Sequence, residues 1–571
     1  ITGITIDGYF GGAGLGRIGS PDFLPKFQRT NQLELINTLS WLRGDHSFKF
    51  GADVMAPMKN EYMDVPAVRG ALRFRNRFTG NPMADFLLGY VNDAQISNVY
   101  VVEQRHWAAS FFAQDDWRVN DQLSVSLGLR YDFITPALEG QDRQTNFVPE
   151  GGGRLVFATD GSLEERGLVK PDRNNFAPRV GVVYKLDEKT VLRGGYGVFY
   201  NLFDRVGSED QIALNPPGLT NISLVSTNAN PLFRLRDGYP AAFFTPINLD
   251  PAAGQLRSLR IRAVDEDAPK SRMQQASVGF QRELLAGLVL SVDGIWTKGS
   301  NLAHLVNLNQ PANGNGALPF PNFGFIEWRS QRGSSEYKGI DLGLERRFAQ
   351  GLSLGVAYTL GDSKDNTSEH LSTQGSASFP QDAVNLDAWF GPSDYDVRHR
   401  LAVNFVAELP FGRGKKRLQS GVGAAVLGDW TIAGIFAARS GRPFTVTQGS
   451  NNVGQSMTGL PNQVGDPTGP QTIERWFDVA AFQAVPSGTF GNEERNGLRG
   501  PGWQSFDLTL SKKIPVSDRV GAVLRWDIFN VCDRVNYGLP ARNLSDAATV
   551  GTITTLGGDP RTMQLSLRVL F

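Results

Sequence analysis

Between Gln122 and Phe133 the chain alternates strictly. Leu123, Val125, Leu127, Leu129, Tyr131 and Phe133 share one parity; Gln122, Ser124, Ser126, Gly128, Arg130 and Asp132 share the other. A period of two is the signature of a β-strand with one apolar and one polar face. The pattern recurs. Leu352, Leu354, Val356, Tyr358 and Leu360 alternate with Ser353, Gly355, Ala357 and Thr359. Leu401, Val403, Phe405, Ala407 and Leu409 alternate with Ala402, Asn404 and Glu408, with Val406 as an exception, and Phe506, Leu508 and Leu510 alternate with Asp507, Thr509 and Ser511. Each run is near the roughly 10 residues that a tilted strand needs to cross a bilayer. Charged residues keep to one parity, as expected where an Arg on the lipid side costs about 2–4 kcal/mol at the midplane.

The connections alternate as well. Short ones at 118–121, 187–189, 285–287, 349–351 and 515–518 separate long ones at 137–173, 202–271, 300–335, 365–396 and 448–503. Short turns on one side and long loops on the other are the layout of an outer-membrane barrel, with the long loops outside the cell. The connection 410–429 breaks this rule: by parity it falls on the short side, yet it is long and carries Arg413, Lys415, Lys416 and Arg417. The reading is an all-β transmembrane antiparallel β-barrel with about sixteen strands visible, the first near Ile4 to Phe10.

Composition separates this reading from its competitors. The mean hydropathy of −0.24 over 571 residues is too polar for a bundle of membrane helices, but suits a barrel with a wet lumen and long loops. No apolar run reaches the roughly 18 residues of a transmembrane helix; the nearest, Val422 to Ala438, is broken by Asp429 and glycines. Lys+Arg and Asp+Glu are both 57, so nothing points to nucleic acid, which calls for a basic excess.

Chemistry-bearing motifs are scarce. Cys532 is the single cysteine, so neither an intrachain disulfide nor a cysteine metal site is available. The five histidines, His46, His106, His304, His370 and His399, lack metal-ligand spacing. Asp362, Asp365 and Asn366 read as a solvated loop, as does the acidic run 265–267. The glycine-rich stretch Gly14 to Gly19 formally matches a dinucleotide-binding turn, but Pro21 and Pro25 follow where a helix would have to open. No cofactor, metal or catalytic residue is expected, and the chain is not expected to be an enzyme.

Two residue sets are candidates for function. Arg130, Asp132, Asp293, Arg525 and Asp527 fall on the polar parity and are expected to face the lumen, where they line a route or pair across strands. Phe233, Tyr239, Phe243 and Phe244, together with Trp476, Phe477 and Phe482, lie in long connections, where aromatics either contact a ligand or pack the loops together. In the last strand Met563, Leu565, Leu567, Val569 and Phe571 share one parity. A chain end with a terminal aromatic, here Phe571, resembles the signal read by the barrel-assembly machinery, whose logic is strand addition.

Longer stretches carry a family resemblance. They are GNPMADFLLGY (80–90), SFFAQDDWRVNDQLSVSLGLRYD (110–132), NNFAPRVGVVY (174–184), VLRGGYGVFYN (191–201) and YKGIDLGLERRFAQGLSLGVAYTLGDSKDN (337–366). The series continues with YDVRHRLAVNFVAELPFGRGKK (395–416), SGRPFTVTQGSN (440–451), TFGNEERNGLRGPGWQSFDLTLSK (489–512) and WDIFNVCDRVNYG (526–538). In this order they resemble the TonB-dependent outer-membrane receptors of the Oar-like type, which carry a carboxypeptidase-regulatory-like N-terminal domain. The resemblance implies a barrel of about 22 strands, a plug, and a periplasmic segment that engages the TonB complex. It also implies import of a ligand (siderophore, glycan or peptide) across the outer membrane of a Gram-negative bacterium. Residues 1–571 would then be the C-terminal part of the barrel, with upstream strands, plug and accessory domain lying outside this chain. A passive porin, or a non-transport surface or structural barrel in an envelope assembly, is the alternative.

Overall fold

The computed structural model describes the chain apart from residues 11–15, 22–23, 202–211, 227–228, 286, 315, 369–378, 413, 450–457 and 518, and the side chains of 56–57 and 313. His370, Arg413 and part of the glycine-rich stretch thus lie outside the described residues, as do segments within the long connections.

Among the described residues, fifteen strands form one antiparallel meander, numbered here in chain order. They are β1 (Glu34–Arg43), β2 (His46–Met63), β3 (Val102–Arg118), β4 (Leu123–Ile134), β5 (Phe176–Asp187), β6 (Thr190–Asn201), β7 (Ser271–Leu285) and β8 (Leu288–Asn307). The series continues with β9 (Phe325–Ala349), β10 (Leu352–Asp365), β11 (His399–Glu408), β12 (Trp430–Arg439), β13 (Trp503–Pro515), β14 (Gly521–Phe529) and β15 (Thr562–Leu570). Each pairs with the next. The edge strands β1 and β15 are exposed along their whole length.

The register carries the alternation sideways through the sheet. Leu127 stands opposite Val180, Val180 opposite Tyr196, Tyr196 opposite Ala276, and Ala276 opposite Trp296. On the other face Arg193, Gly279, Asp293, Asp341, Thr359, Arg400 and Arg439 form one row over seven strands. One slipped residue would move a whole strand's apolar set to the wrong face, so the shared parity holds every pairing in place. The apolar face is not covered by protein: Phe111, Leu127, Leu129, Leu342, Leu565 and Leu567 are all exposed. Among the described residues no helix is long and apolar enough to cross a membrane.

The packed cores lie at the long-connection end. One is built around a small sheet in which Gly3–Ile6 runs parallel to Ala71–Phe74, followed by Asp93–Ser97 and Asn221–Val225. The expected first barrel strand at Ile4 to Phe10 is therefore corrected: Ile6 is fully buried against Phe74, Val91 and Ile222 in this separate unit. Alternation over so few residues suits any half-buried strand, so the sequence could not distinguish the two. The expected long loop 300–335 is also corrected. β8 and β9 continue to pair up to Asn307 and Glu327, and this upper hairpin is buried beneath its neighbours, with Leu305, Val306 and Ile326 almost inaccessible.

The connection 410–429 lies at the short-turn end, joining β11 to β12, and contains a short helix, Gly421–Leu427.

A cationic cavity beneath stitched loops

On the polar face, the charged candidates are each paired with a neighbour. Arg130 Nε donates to Asp132 Oδ1 at 2.7 Å, and the Ser110 hydroxyl donates to the same oxygen at 2.6 Å. Arg193 forks onto Asp293 at 2.7 Å to each oxygen. Gly279 lies between their strands, where an added Cβ would stand 2.2 Å from Asp293 Oδ1; glycine leaves the room the pair occupies. Arg525 Nε donates to Asp527 Oδ1 at 2.9 Å, and the Thr509 hydroxyl donates to the same oxygen at 2.6 Å. All five polar-parity candidates thus share one face, and each is held in a local pair.

At the long-connection end, connections distant in sequence are tied together. Glu139 is fully buried. It accepts from Arg143 Nη2 at 2.6 Å and from the backbone N–H groups of Gln141 and Arg143 at 2.9 and 3.0 Å. Burial works to raise its pKa, but these donors outweigh burial and hold the carboxyl below its ordinary value. The Arg143 guanidinium also lies 4.8 Å from the centre of the Tyr100 ring, whose hydroxyl burial pushes up to about 12. A second tie is Arg495, which donates to Asp365 Oδ1 at 2.8 Å and Asp365 O at 2.6 Å, and to Ser368 Oγ at 2.7 Å. Asn496 Nδ2 adds bonds to Asp394 Oδ1 at 2.6 Å and Pro392 O at 2.8 Å. These bonds clamp the β12–β13 connection onto the β10–β11 connection.

The aromatic candidates divide. Phe233 and Phe243 are buried in the cluster around Ile6 and Phe74, with Tyr239 packed beside them and its hydroxyl donating to Gln95 O at 3.0 Å. Phe477 and Phe482 are buried with Phe444 and Val446, and Trp476 flanks that cluster with its indole N–H on Arg499 O at 2.8 Å. Phe244 alone projects outward. The two sets belong to different clusters.

Beneath the connections, on the polar-face side, lies a cavity of about 120 Å³. Gln104 and His106 of β3 line it, with Thr135 just beyond β4, Lys170 and Asp172 of the β4–β5 connection, Lys270 beside β7, and Arg329 and Gln331 of β9. The Lys270 backbone N–H donates to Asp172 Oδ2 at 2.7 Å, and Lys170 Nζ to Asp267 Oδ1 at 2.8 Å. His106 Nδ1 and Gln331 Oε1 are buried and have no hydrogen-bond partner among the described residues. Lys170, Lys270 and Arg329 are the cationic lining residues and Asp172 the lining carboxylate, with the Lys170 ammonium already paired to Asp267 outside the lining. The volume, well below the roughly 300 Å³ and more of whole-ligand pockets, suits one functional group of a larger molecule. No alternation announces this cavity, because six separated segments build it. Among the described residues no three His, Cys, Asp or Glu side chains converge as a metal site.

Among solved structures the chain is similar to the outer membrane transporter YddB from Escherichia coli. The TM-score is 0.50 at 10% identity, covering 98% of this chain and 55% of that one. It is also similar to the ferripyoverdine receptor of the outer membrane of Pseudomonas aeruginosa (TM-score 0.47, 12% identity, 95% and 48% covered). A third is BauA, the ferric preacinetobactin receptor from Acinetobacter baumannii (0.44, 11%, 95% and 54%). The chain spans about half the length of each of these proteins. No curated protein sequence matches it. The model of one family, the outer membrane beta barrel domain, matches residues 1–564. With its in-register apolar face, short turns at one end and roofed connections at the other, the chain belongs to that family and resides in the outer membrane of a Gram-negative bacterium.

Proposed function

We propose that this chain supplies barrel wall and outer loops to a TonB-dependent receptor of the Oar-like type, which imports a ligand captured at the long-connection end. The observation that carries the reading is the roof. The connections are tied to one another by the buried Arg495–Asp365 pair and by Arg143, whose Nη2 donates to Val101 O at 2.9 Å, and a small cavity lined by Lys170, Lys270 and Arg329 lies on the polar-face side, where a passive pore calls for an open path. In this reading Lys170, Lys270 and Arg329 receive an acidic group of the ligand, be it siderophore, glycan or peptide, and Phe244 touches its outer part. Arg130, Asp132, Asp293, Arg525 and Asp527 line the lumen. Likeness in fold to an outer membrane transporter supports the transport class.

A bilayer does not tolerate the open edges that β1 and β15 present. The functional unit is therefore a closed barrel, and the resemblance to TonB-dependent receptors implies about 22 strands, with further strands joining these edges around a plug moved by the TonB complex. Phe571, at the short-turn end of β15, is the handle for the barrel-assembly machinery.

The test is uptake by cells expressing the intact receptor, with and without functional TonB, of a panel of labelled ferric siderophores, glycans and acidic peptides. Uptake of one class that stops without TonB, and falls at least tenfold in the double substitution Lys170→Gln, Lys270→Gln, supports the reading. Steady ionic conductance of the intact protein in planar bilayers, with no TonB requirement, refutes it in favour of a porin.

A further inference from the structure

The connection between β11 and β12 has no role in capturing a ligand from outside, because it lies at the opposite end of the sheet. Its neighbours at that end are tight turns such as 188–189 and 350–351. This connection instead folds back on itself: Arg417 N–H donates to Pro410 O at 3.0 Å, Gly412 N–H to Leu418 O at 3.2 Å, and Asp429 N–H to Phe411 O at 3.1 Å. It then forms the helix Gly421–Leu427, in which no residue is buried. Val422 is 81% exposed, Val426 58% and Leu427 52%, with Leu418 beside them at 43%. An apolar helix left uncovered by its own chain is an unfinished surface.

Its attachment fixes where that surface points. The Trp430 indole N–H donates to Val426 O at 2.9 Å, and Lys512 Nζ reaches Gly428 O at 2.6 Å and Val426 O at 3.2 Å. The Lys512 ammonium also lies 5.3 Å from the Trp430 ring centre. Trp430 and Lys512 are directly paired across β12 and β13, in the same parity as Ile432, Leu508 and Leu510. The helix is therefore sewn to the lower margin of the apolar, lipid-facing side, and not to the polar interior. A Trp with a neighbouring Lys at the foot of an apolar band is the usual arrangement at a headgroup layer. The charge of the segment agrees. Lys415 is paired with Glu408, whereas Lys416 and Arg417 are exposed and make no ion pair among the described residues; Asp429 is the only acidic residue of the connection.

We infer that this connection is a membrane-interface anchor. It lies flat on the periplasmic leaflet, with Leu418, Val422, Val426 and Leu427 in the acyl boundary and Lys416 and Arg417 on anionic phospholipid headgroups. Apolar side chains on one side and cations beside them are the means by which interfacial helices hold to anionic bilayers. The anchor continues the lipid-facing belt beyond the strand ends with a helix of about two turns.

The test uses the full-length protein in vesicles of phosphatidylethanolamine and phosphatidylglycerol, with a spin label on Val422→Cys in a Cys532→Ser background. A control label on Glu188→Cys marks an exposed short turn. Folding of each variant is checked by heat-modifiable gel mobility. The expected result is that the 422 label collides preferentially with oxygen and is shielded from a water-soluble nickel chelate, while the 188 label shows the reverse. Adding Lys416→Glu and Arg417→Glu is expected to move the 422 label toward nickel, and replacing phosphatidylglycerol by phosphatidylcholine should do the same. A 422 label as open to nickel as the 188 label overturns the inference, since the segment is then a solvated loop. A label shielded from both reagents also overturns it, because another copy of the chain then covers the helix.

Discussion

The clamp at Arg495 gives the sharpest quantitative expectation. Arg495 is 4% exposed and its partner Asp365 is fully buried, so replacing Arg495 with Met removes a charge and strands the other out of water. Breaking a buried pair in this way costs about 3–5 kcal/mol. The Ser368 hydroxyl still donates to both Asp365 oxygens, at 2.9 and 3.0 Å, which places the expected loss near the lower figure. Because the clamp joins a connection to the last residue of β10 and to Ser368 just beyond it, and not two barrel strands, the loss falls on local opening of the roof and not on the sheet. About 3 kcal/mol corresponds to roughly a hundredfold rise in hydrogen exchange of peptides from 389–396 and 493–499 where opening limits exchange. Exchange in β4 and β5 should stay unchanged. The control is Arg236→Ala, which removes an exposed pair with Asp237 at 3.5 Å and should alter exchange by less than about twofold. A change of less than about threefold at 389–396 in Arg495→Met would refute the reasoning, because Asp365 would then be solvated without its partner.

Three further expectations follow from other parts of the molecule. Burial pushes Glu493 up to about 7, the adjacent Glu494 adding to it. A raised carboxyl favours the folded loop while protonated, so its contribution is whole below about pH 4.5 and is lost as pH rises through about 7; the loss is at most about 3 kcal/mol. Proteolysis of the 440–502 connection should quicken between pH 5 and 8 in the wild type and lose that dependence in Glu493→Gln; an unchanged profile in the variant would contradict the assignment. Phe477, 1% exposed within its cluster, should cost about 3–5 kcal/mol of local stability as Phe477→Ala, read as protease cleavage within 440–502 while heat-modifiable mobility is retained. Leu565→Arg places a charge on the apolar face and should cost about 2–4 kcal/mol if near the midplane, whereas Ser566→Arg on the opposite face should be tolerated; equal folding yields in detergent-to-lipid refolding would undo the assignment of faces.

Much of the wall was legible because a lipid-facing sheet has only one way to satisfy its two solvents. The parities of Leu123–Phe133, Leu352–Leu360, Leu401–Leu409 and Met563–Val569 are the observed faces, and even Val406, an apolar residue on the polar parity, stands opposite Ser353 and Ala433 there. The polar-parity candidates Asp293 and Asp527 were found by the same signal, but their partner Arg193 and the space left by Gly279 were not, because pairing across strands depends on register. The roof was illegible for a related reason. Its small sheet joins segments near residues 4, 72, 95 and 223, one of them in parallel, and no local period encodes such distant pairing. Buried polar groups such as Asn309, whose amide donates to Phe320, Phe323 and Gly324 carbonyls, look like ordinary loop residues in one dimension. The aromatic loop residues were visible as a composition, yet which of them pack inward and which, like Phe244, face out is a tertiary property.

The arrangement of the chain in its membrane is tested most directly by labelling intact cells with a membrane-impermeant maleimide. Two single-cysteine variants of the full-length protein in a Cys532→Ser background suffice: Arg236→Cys in the roof, where the side chain is 74% exposed, and Glu188→Cys in a short turn, where it is 90% exposed. The expected result is that Arg236→Cys reacts in intact cells, whereas Glu188→Cys reacts only after the outer membrane is permeabilised. Labelling of Glu188→Cys in intact cells, with Arg236→Cys protected, would contradict an outward-facing roof and with it the proposed capture of a ligand from outside.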